Sequence, residues 1–355
     1  MTLGRSALVL IVRAAVAAGV VGLGACGGAE ASRPATAGAD AAPTSSPASD
    51  DDGLAGLTVV GDGDPSLPVT VVDATGTEVT VTSAERIIPA NGDLAEVVFA
   101  LGLGERVVAR DVSATYPPEI EAVPSVGYQR TLPIEPIAAF EPTVVLANTS
   151  AGPPETISGL RDLGYPVVVL DASDDLDSPA AKLRAVAAVL GVPEAGATLA
   201  LTVEDEIGAA TSLARRADEA PRVAALYLRG GAVQLVFGPG SGLSVLLDAA
   251  GAFDVGAELG VDETEPVNLE ALLVAQPDAL VVTDSGLESV GGIDGLLGLG
   301  GGALGRTPAG QARRVLAYDD QLLLGFGPRT GDALGRLVAD LHPDRSPDPE
   351  KDRDG

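Results

Sequence analysis

The chain is poor in the side chains that carry most metal and redox chemistry. Its 355 residues include one Cys, one His, one Met and no Trp. A single Cys excludes an internal disulfide, a zinc site built on several Cys residues and a Cys-ligated iron–sulfur cluster. A single His excludes a site with several His ligands, and this residue, His342, lies near the C-terminus. Any metal chemistry must therefore use other ligands.

Basic residues are also scarce. The sequence has 22 Lys+Arg against 50 Asp+Glu, which gives a formal net charge of −28. A charge this negative repels a phosphate backbone, so no nucleic-acid partner is expected. The length, together with 46% hydrophobic residues, is sufficient for two buried cores.

The N-terminus predicts export and anchoring. Residues 1–25 combine a short basic start with an apolar stretch that ends in small residues, which is typical of a signal peptide. A permanent membrane span is the weaker alternative because Arg13 interrupts the stretch. Leu23-Gly24-Ala25-Cys26 resembles a bacterial lipobox, although an incidental Cys is the alternative. We expect a protein lipidated at Cys26 and tethered to the extracytoplasmic face of the cell membrane.

The rest of the chain predicts two α/β halves. Short apolar runs alternate with amphipathic helices, which favours mostly parallel sheets. Val69–Thr82 predicts a β-hairpin, and Pro193 begins a long helix that runs to about Ala217. Each half contains a helix, then a Pro, then a buried strand, which is consistent with two related lobes. One large doubly wound sheet is the alternative. The predicted domains are a signal peptide (1–25), a lipidated Cys with a flexible linker (26–55), an N-terminal α/β lobe (56–192), a bridging helix (193–218), a C-terminal α/β lobe (219–341) and a disordered tail (342–355).

Catalytic motifs are missing from the sequence. It has no Walker-type phosphate loop and no G-x-S-x-G elbow, and its carboxylates are scattered. The glycine-rich run Gly295–Gly305 lacks a preceding apolar strand, so we expect a flexible loop there. The sequence therefore nominates no enzyme activity.

Two tyrosines stand out instead. Tyr128 and Tyr227 each lie two residues before an arginine, Arg130 and Arg229 respectively. Tyr227 lies at the C-terminal end of a predicted strand, where α/β sheets bind ligands. A nearby guanidinium stabilises phenolate, and phenolate is an oxygen ligand for haem iron. The local spacing alone leaves open that both are structural tyrosines beside surface arginines.

From Arg86 to Leu341 the chain resembles the haem (hemin) ABC-transporter substrate-binding lipoproteins, and most closely their actinobacterial branch. The resemblance is carried by GDLAEVVFALGLGERVVARD, PSVGYQRTLPIEPIAAFEPTVVLA, LYLRGGAVQLVFGPGSGLSVLLDAAG, GLESVGGIDGLL and LLLGFGPRTGDAL. It implies two Rossmann-like α/β lobes joined by one long helix, with the ligand in the cleft between the lobes.

The resemblance also implies the ligand and its iron ligands. Haem b is expected as the transported ligand, with no other cofactor. Tyr227 matches the tyrosine that binds the iron from the C-terminal lobe, and Arg229 the arginine that hydrogen-bonds to it. Tyr128 stands where relatives of this branch commonly carry His. The iron is therefore expected to be bound either by both phenolates or, in a five-coordinate haem, by only one tyrosine. A ferric siderophore or cobalamin, bound by sister families of the same fold, is the alternative ligand.

The remaining implied roles concern partners. We expect a monomer that delivers its ligand to ABC-transporter permease subunits. One acidic residue on each lobe is implied to pair with permease arginines: Glu96 matches the first position, and Asp248 falls where a Glu is usual. An ordinary solvated helix face is the alternative for both. Arg329 is expected to contact a haem propionate, and Arg130 is a second candidate for that contact.

Overall fold

A computed structural model of the chain describes residues 57–60, 64–216 and 220–343, all within one compact unit. The predicted signal peptide, Cys26, the linker to residue 55 and residues 344–355 of the predicted tail lie outside these described residues. Within them, the helices are all too short or too polar to cross a membrane.

A β-hairpin precedes the first sheet, as predicted. β1 (Val69–Val72) and β2 (Glu78–Val81) pair antiparallel, with Val69 opposite Val81. The turn between them contains Gly76 at φ 77°, a conformation that favours glycine. The Asp73 carboxylate accepts hydrogen bonds from the backbone N–H groups of Thr75 and Thr77, which fixes the turn.

The first half of the chain forms parallel strands with helices around them. The strands are β3 (Ile87–Pro89), β4 (Arg110–Asp111), β5 (Ser125–Gly127), β6 (Val144–Asn148) and β7 (Val167–Leu170). One sheet has the order β3-β6-β7, and β4 pairs with β5. Every residue of β6 and β7 is buried, which explains their continuous apolar sequences. The helices are α1 (Gly92–Ala100), α2 (Ile134–Ala138), α3 (Pro154–Asp162) and α4 (Ser178–Val189).

The second half contains one mixed sheet. Its strands are β8 (Arg222–Arg229), β9 (Val233–Phe237), β10 (Phe253–Asp254), β11 (Thr264–Pro266), β12 (Ala279–Thr283) and β13 (Val315–Tyr318). The strand order is β11-β9-β8-β12-β13, and β10 lies beside β8. β10, β12 and β13 run parallel to β8, whereas β9 returns antiparallel to it. The C-terminal end of β8 therefore faces the first residues of β9.

A long helix, α5 (Pro193–Ala214), connects the two halves in the chain. Its 22 residues span about 33 Å at the usual helical rise. It begins at Pro193, as predicted, and buries Leu199, Val203 and Ile207, which share one face. The helices of the second half follow: α6 (Gly242–Ala249), α7 (Val255–Glu258), α8 (Leu269–Ala275), α9 (Asp284–Ser289), α10 (Gly292–Gly302), α11 (Pro308–Gln311), α12 (Asp320–Leu324) and α13 (Thr330–Leu341).

The bridging helix packs against both halves. α5 lies against α4 of the first half and α13 of the second. One apolar cluster runs continuously through all three helices and into both sheets. The predicted architecture of two α/β lobes with a long helix between them is thus confirmed, and a single large sheet is excluded for the described residues.

The glycine-rich run did not form the expected flexible loop. Gly295–Gly305 lies mostly in α10, because Leu296 and Leu297 are buried in the core of the second half. The helix is interrupted at Leu299, where Gly300 and Gly301 take positive φ. The missing apolar strand before this run predicted a flexible loop, but the two buried leucines hold its first part in a helix.

The two halves share a helix–strand unit. α2 and α8 are each followed by a residue with positive φ, Glu141 (43°) and Gln276 (51°), and each of these precedes a proline. A fully buried strand then begins, β6 in the first half and β12 in the second. The similarity between the halves seen in the sequence is thus a similarity of backbone conformation.

Candidate ligand-binding cleft

A cleft of about 690 Å³ is lined by residues from both halves of the chain. This volume is in the range of small-molecule and cofactor sites. Its walls are formed by Arg130, Ala172, Asp174 and Asp175 from the first half and by Tyr227, Leu235, Phe237, Gly240, Ser241, Gly242, Leu243, Val245, Glu263, Thr264, Leu324 and Phe326 from the second. The predicted cleft between the lobes is present.

Tyr227 is the phenol in this cleft. It lies near the C-terminal end of β8, paired with Leu235 on β9. Its ring meets the Phe237 ring edge to face, with centroids 6.2 Å apart and planes at 83°. Because side chains alternate along a strand, the neighbours Leu226 and Leu228 point into the core while Tyr227 faces the cleft. The strand thus holds one half-buried phenol at the position predicted for an iron ligand.

Arg229 contacts the ring of Tyr227 rather than its hydroxyl. The guanidinium lies 4.4 Å from the ring centroid, a cation–π distance. It also donates a hydrogen bond of 2.7 Å to Asp320 Oδ1, and the Ser285 hydroxyl donates to the same oxygen. Instead of the predicted hydrogen bond, Arg229 stacks on the ring of Tyr227, and Asp320 holds the guanidinium there. The sequence reading missed Asp320, because α12 was not predicted.

Tyr128 and Arg130 are placed differently from each other. Arg130 lines the cleft, whereas the side chain of Tyr128 is 46% exposed and is outside the lining residues of that cleft. Gly127, just before Tyr128, has φ 104°, a conformation available to glycine, and a short 3-10 turn (Gln129–Thr131) follows. This backbone directs the arginine, not the tyrosine, into the cleft.

Arg329 and Glu96 pair with each other in the interior. Arg329 Nε and Nη2 donate hydrogen bonds of 3.0 and 2.9 Å to the two carboxylate oxygens of Glu96. The side chains are only 8% and 2% exposed, and the guanidinium also lies 3.5 Å from the Tyr116 ring centroid. Burial raises the pKa of the Glu96 carboxyl, although the hydrogen bonds from Arg329 and Gln321 oppose the shift.

This buried pair contradicts two predictions. Glu96 does not face a partner protein, because nearly all of its carboxylate surface is covered. Arg329 does not reach the cleft, because its guanidinium is fully engaged by Glu96 and Tyr116. Asp248, in the last turn of α6, is exposed, as its predicted role requires.

Three carboxylates in the cleft were missed. Asp174 and Asp175 follow β7, and Glu263 precedes β11; among the described residues, Arg130 is the one basic residue that lines the cleft with them. Partial desolvation raises the pKa of Asp174, with Lys182 opposing the shift and nearby carboxylates reinforcing it. The signal was available, since an acidic run at the C-terminal end of a parallel strand lies where ligands bind. The cleft therefore combines a tyrosine and two apolar rings with an acidic rim formed by the exposed residues Asp174, Asp175 and Glu263.

Comparison with known proteins agrees with this architecture. Residues 87–322 match the family model described as periplasmic binding protein. The periplasmic heme-binding protein RhuT from Roseiflexus sp. RS-1, in its apo form, is 48% identical; the match covers 74% of this chain and 100% of that one, with a TM-score of 0.71. The structure of heme binding protein HmuT is 35% identical over 80% of this chain and 94% of its own, with a TM-score of 0.73.

A further relative is described as binding a different ligand. The cobalamin-binding protein of Halobacterium salinarum is 26% identical over 282 residues, which are 78% of this chain and 75% of that protein. The family match at residues 87–322 includes most of both sheets and the whole of the helix between them. The chain therefore belongs to the periplasmic binding protein family.

Proposed function

We propose that this protein captures haem in its interlobe cleft and delivers it to an ABC importer. The observation that carries the proposal is Tyr227, a phenol held at the end of β8 inside the cleft with a guanidinium stacked on its ring. A phenolate is a ligand for ferric haem iron, and a nearby cation stabilises it. The 48% identity to a protein described as heme-binding supports the same ligand.

Haem b bound in this way would have Tyr227 as its axial ligand. Arg130 is the positive group of the cleft lining and is the partner we propose for a propionate. Because Tyr128 lies outside the lining, we propose a five-coordinate iron in the conformation described here. Ligation by both tyrosines requires the segment after Gly127 to turn toward the cleft.

Cobalamin is the second candidate, and the acidic rim favours it. Asp174, Asp175 and Glu263 repel the carboxylates of haem, whereas the amide side chains of a corrinoid accept and donate hydrogen bonds without net charge. The relative from Halobacterium salinarum supports this ligand class. A ferric siderophore, bound by sister families of the same fold, is the third candidate ligand.

Titration with hemin tests the proposal. Wild-type protein is expected to show a Soret shift and the charge-transfer bands of a ferric tyrosinate. Tyr227→Phe removes the phenolate oxygen and is expected to abolish those bands. Tyr165→Phe is the matched control, because its hydroxyl binds the Ala138 carbonyl away from the cleft. An unchanged spectrum in Tyr227→Phe would refute the ligand assignment, and displacement of hemin by cyanocobalamin at equal concentration would favour the corrinoid.

We propose that docking on the permease uses Glu135 and Glu270. Each lies in the first turn of a short helix, α2 or α8, and each is exposed. Each also lies six residues before the positive-φ residue that separates the helix from the strand of its unit, so the two occupy equivalent positions on the two lobes. A pair of equivalent carboxylates suits two arginine-bearing permease subunits.

This docking proposal replaces Glu96. Substitution of Glu135 or Glu270 by Gln is expected to lower hemin-stimulated ATP hydrolysis by the transporter and to leave hemin affinity unchanged. Asp248→Asn, a matched change at another exposed helical position, tests the earlier assignment in the same assay. Loss of stimulation with Asp248→Asn alone would favour that assignment.

The anchoring of the protein rests on the sequence. We propose that Cys26 is lipidated and that residues 26–55 separate the membrane from the lobes at 56–192 and 219–341, with the protein acting as a monomer. Cys26→Ser is expected to move the protein from the membrane fraction to the culture supernatant or periplasm. Retention in the membrane fraction would contradict the lipid anchor.

A further inference from the structure

Lys182 is buried in a chain that has hardly any lysine. The sequence contains two lysines, and Lys182 is the one among the described residues. It lies on α4 with 5% of its side chain exposed, and it forms an ion pair with Asp93, whose side chain is 6% exposed. A buried ammonium loses its hydration, so it is retained only where protein groups replace the water.

The protein groups that replace this water come from both halves of the chain. Besides Asp93, Lys182 Nζ donates hydrogen bonds to the backbone carbonyls of Gly325 (3.2 Å) and Phe326 (2.9 Å). These carbonyls lie just after α12, in the second half. The lysine thus extends from the first half to one loop of the second, at the edge of the cleft.

Phe326 has an unusual backbone conformation at this contact. Its φ is 47°, in the left-handed region that a bulky side chain rarely adopts. Such a conformation persists only when neighbouring groups hold it, and the hydrogen bond from Lys182 to the carbonyl oxygen of Phe326 is one such restraint.

The ring of Phe326 forms part of the cleft wall. It packs so closely on the start of α6 that a Cβ added at Gly242 would lie 2.6 Å from Phe326 Cε2. The same added atom would lie 2.7 Å from Asp174 Cβ, on the opposite half. The ring therefore lies where the two lobes meet, and a change in its position changes the shape of the cleft.

We propose that Lys182 is a positioning residue that sets the shape of the ligand cleft by holding Phe326 in its left-handed conformation. The relevance to ligand binding rests on the proposed function of the cleft; the positioning itself does not. If Lys182 were only a structural contact, its removal would lower stability and leave the Phe326 ring where it is.

Fluorine NMR of ligand-free protein tests the positioning directly. The chain has five Phe residues, so labelling with 4-fluorophenylalanine gives five resonances, and Phe326→Leu assigns one of them. The test variant is Lys182→Met in an Asp93→Asn background, which leaves no unpaired buried carboxylate at residue 93; Asp93→Asn alone is its reference. The Phe326 resonance is expected to shift or broaden, and an unmoved resonance overturns the proposal.

Two further variants make this result decisive. Arg184→Met is the control, because Arg184 lies on the same helix and pairs with Glu204 at an exposed site; it is expected to leave the Phe326 resonance unchanged. Lys182→Leu in the Asp93→Asn background also removes the donor nitrogen and is measured in place of the Met variant if that variant does not fold.

Hemin affinity completes the test. Removing Lys182 is expected to raise the hemin dissociation constant about tenfold, and to have no further effect once Phe326 is Leu, because the lysine acts through the ring. Equal losses in both backgrounds overturn the proposal. Wild-type protein that binds no hemin refutes the proposed function instead, and the NMR result then still decides whether Lys182 positions Phe326.

Discussion

Substitution of Glu96 by Gln tests the strongest electrostatic feature of the structure. The change removes one negative charge and keeps the shape of the side chain. Arg329 then retains a buried positive charge whose main partner has been lost, since both of its hydrogen bonds go to the Glu96 carboxylate. Its other acidic neighbour, Asp319, is 3.9 Å away and half exposed.

The size of the effect follows from burial. Breaking one side of a buried pair costs about 3–5 kcal/mol, because the remaining charge is left without compensation. Arg329 keeps its contact with the Tyr116 ring at 3.5 Å, and a desolvated cation–π contact contributes about 2 kcal/mol. We therefore expect the free energy of unfolding to fall by about 3 kcal/mol, the lower end of that range.

Urea unfolding at neutral pH measures this loss. Glu204→Gln is the control: it breaks the Arg184–Glu204 pair, whose side chains are both 43% exposed, and it is expected to lower the free energy of unfolding far less than Glu96→Gln. The double variant Glu96→Leu with Arg329→Met removes both charges and is expected to recover most of the lost stability. A Glu96→Gln protein as stable as the Glu204→Gln control would refute the reasoning.

Two more predictions concern packing and pH. Gly242→Ala is expected to destabilise the protein by about 1–3 kcal/mol, because its Cβ would meet Phe326 and Asp174 at under 3.0 Å. Gly208→Ala in α5 places its Cβ in open space and is expected to stabilise the protein by about 0.5–1 kcal/mol. Thermal unfolding compares the two variants, and equal shifts of the unfolding temperature would contradict the close approach at Gly242. Although burial acts to raise it, hydrogen bonds from Thr75, Thr77 and Val169 hold the pKa of Asp73 below its ordinary 3.8. The stability contributed by ionised Asp73 is therefore fully present above pH 3.8 and is lost as the pH falls through the lower pKa of the folded state. Asp73→Asn is thus expected to be less stable than wild type at neutral pH, and the difference in the free energy of unfolding should shrink in acid. A difference that does not depend on pH would contradict this.

Much of the fold could be predicted because buried segments have a recognisable local sequence pattern. The strands β6, β7 and β12 are covered on both faces, so they read as uninterrupted apolar runs. Pro193 marks the start of α5 for a similarly local reason, since a backbone N–H in the first turn of a helix has no partner within the helix and Pro therefore loses no hydrogen bond there. Tyr227 could be found at the end of a strand because ligand sites lie there.

The partners of charged residues could not be predicted in this way. Glu96 and Arg329 are 233 positions apart, and no local pattern joins them. α1 buries eight of its nine residues, so Glu96 has no solvated helix face on which to lie. Tyr128 and Arg130 differ by the direction that the backbone takes after Gly127, which the sequence does not specify. Side-chain direction in loops and long-range ion pairing thus limited the prediction of the site.

The two buried ion pairs act on one loop. Asp93 and Glu96 are three residues apart on α1 and therefore share a face of that helix. Asp93 pairs with Lys182, which donates to the carbonyls of Gly325 and Phe326. Glu96 pairs with Arg329, so the loop is held on both sides of Pro328. Separation of the lobes at this point would break the hydrogen bonds from Lys182 to the loop and would leave Arg329 on one side and Glu96 on the other without their partners, whereas Lys182 would keep Asp93. We therefore expect a ligand to enter and leave through the mouth of the cleft, beside Arg130 and the acidic rim, with little movement of the loop that carries Phe326.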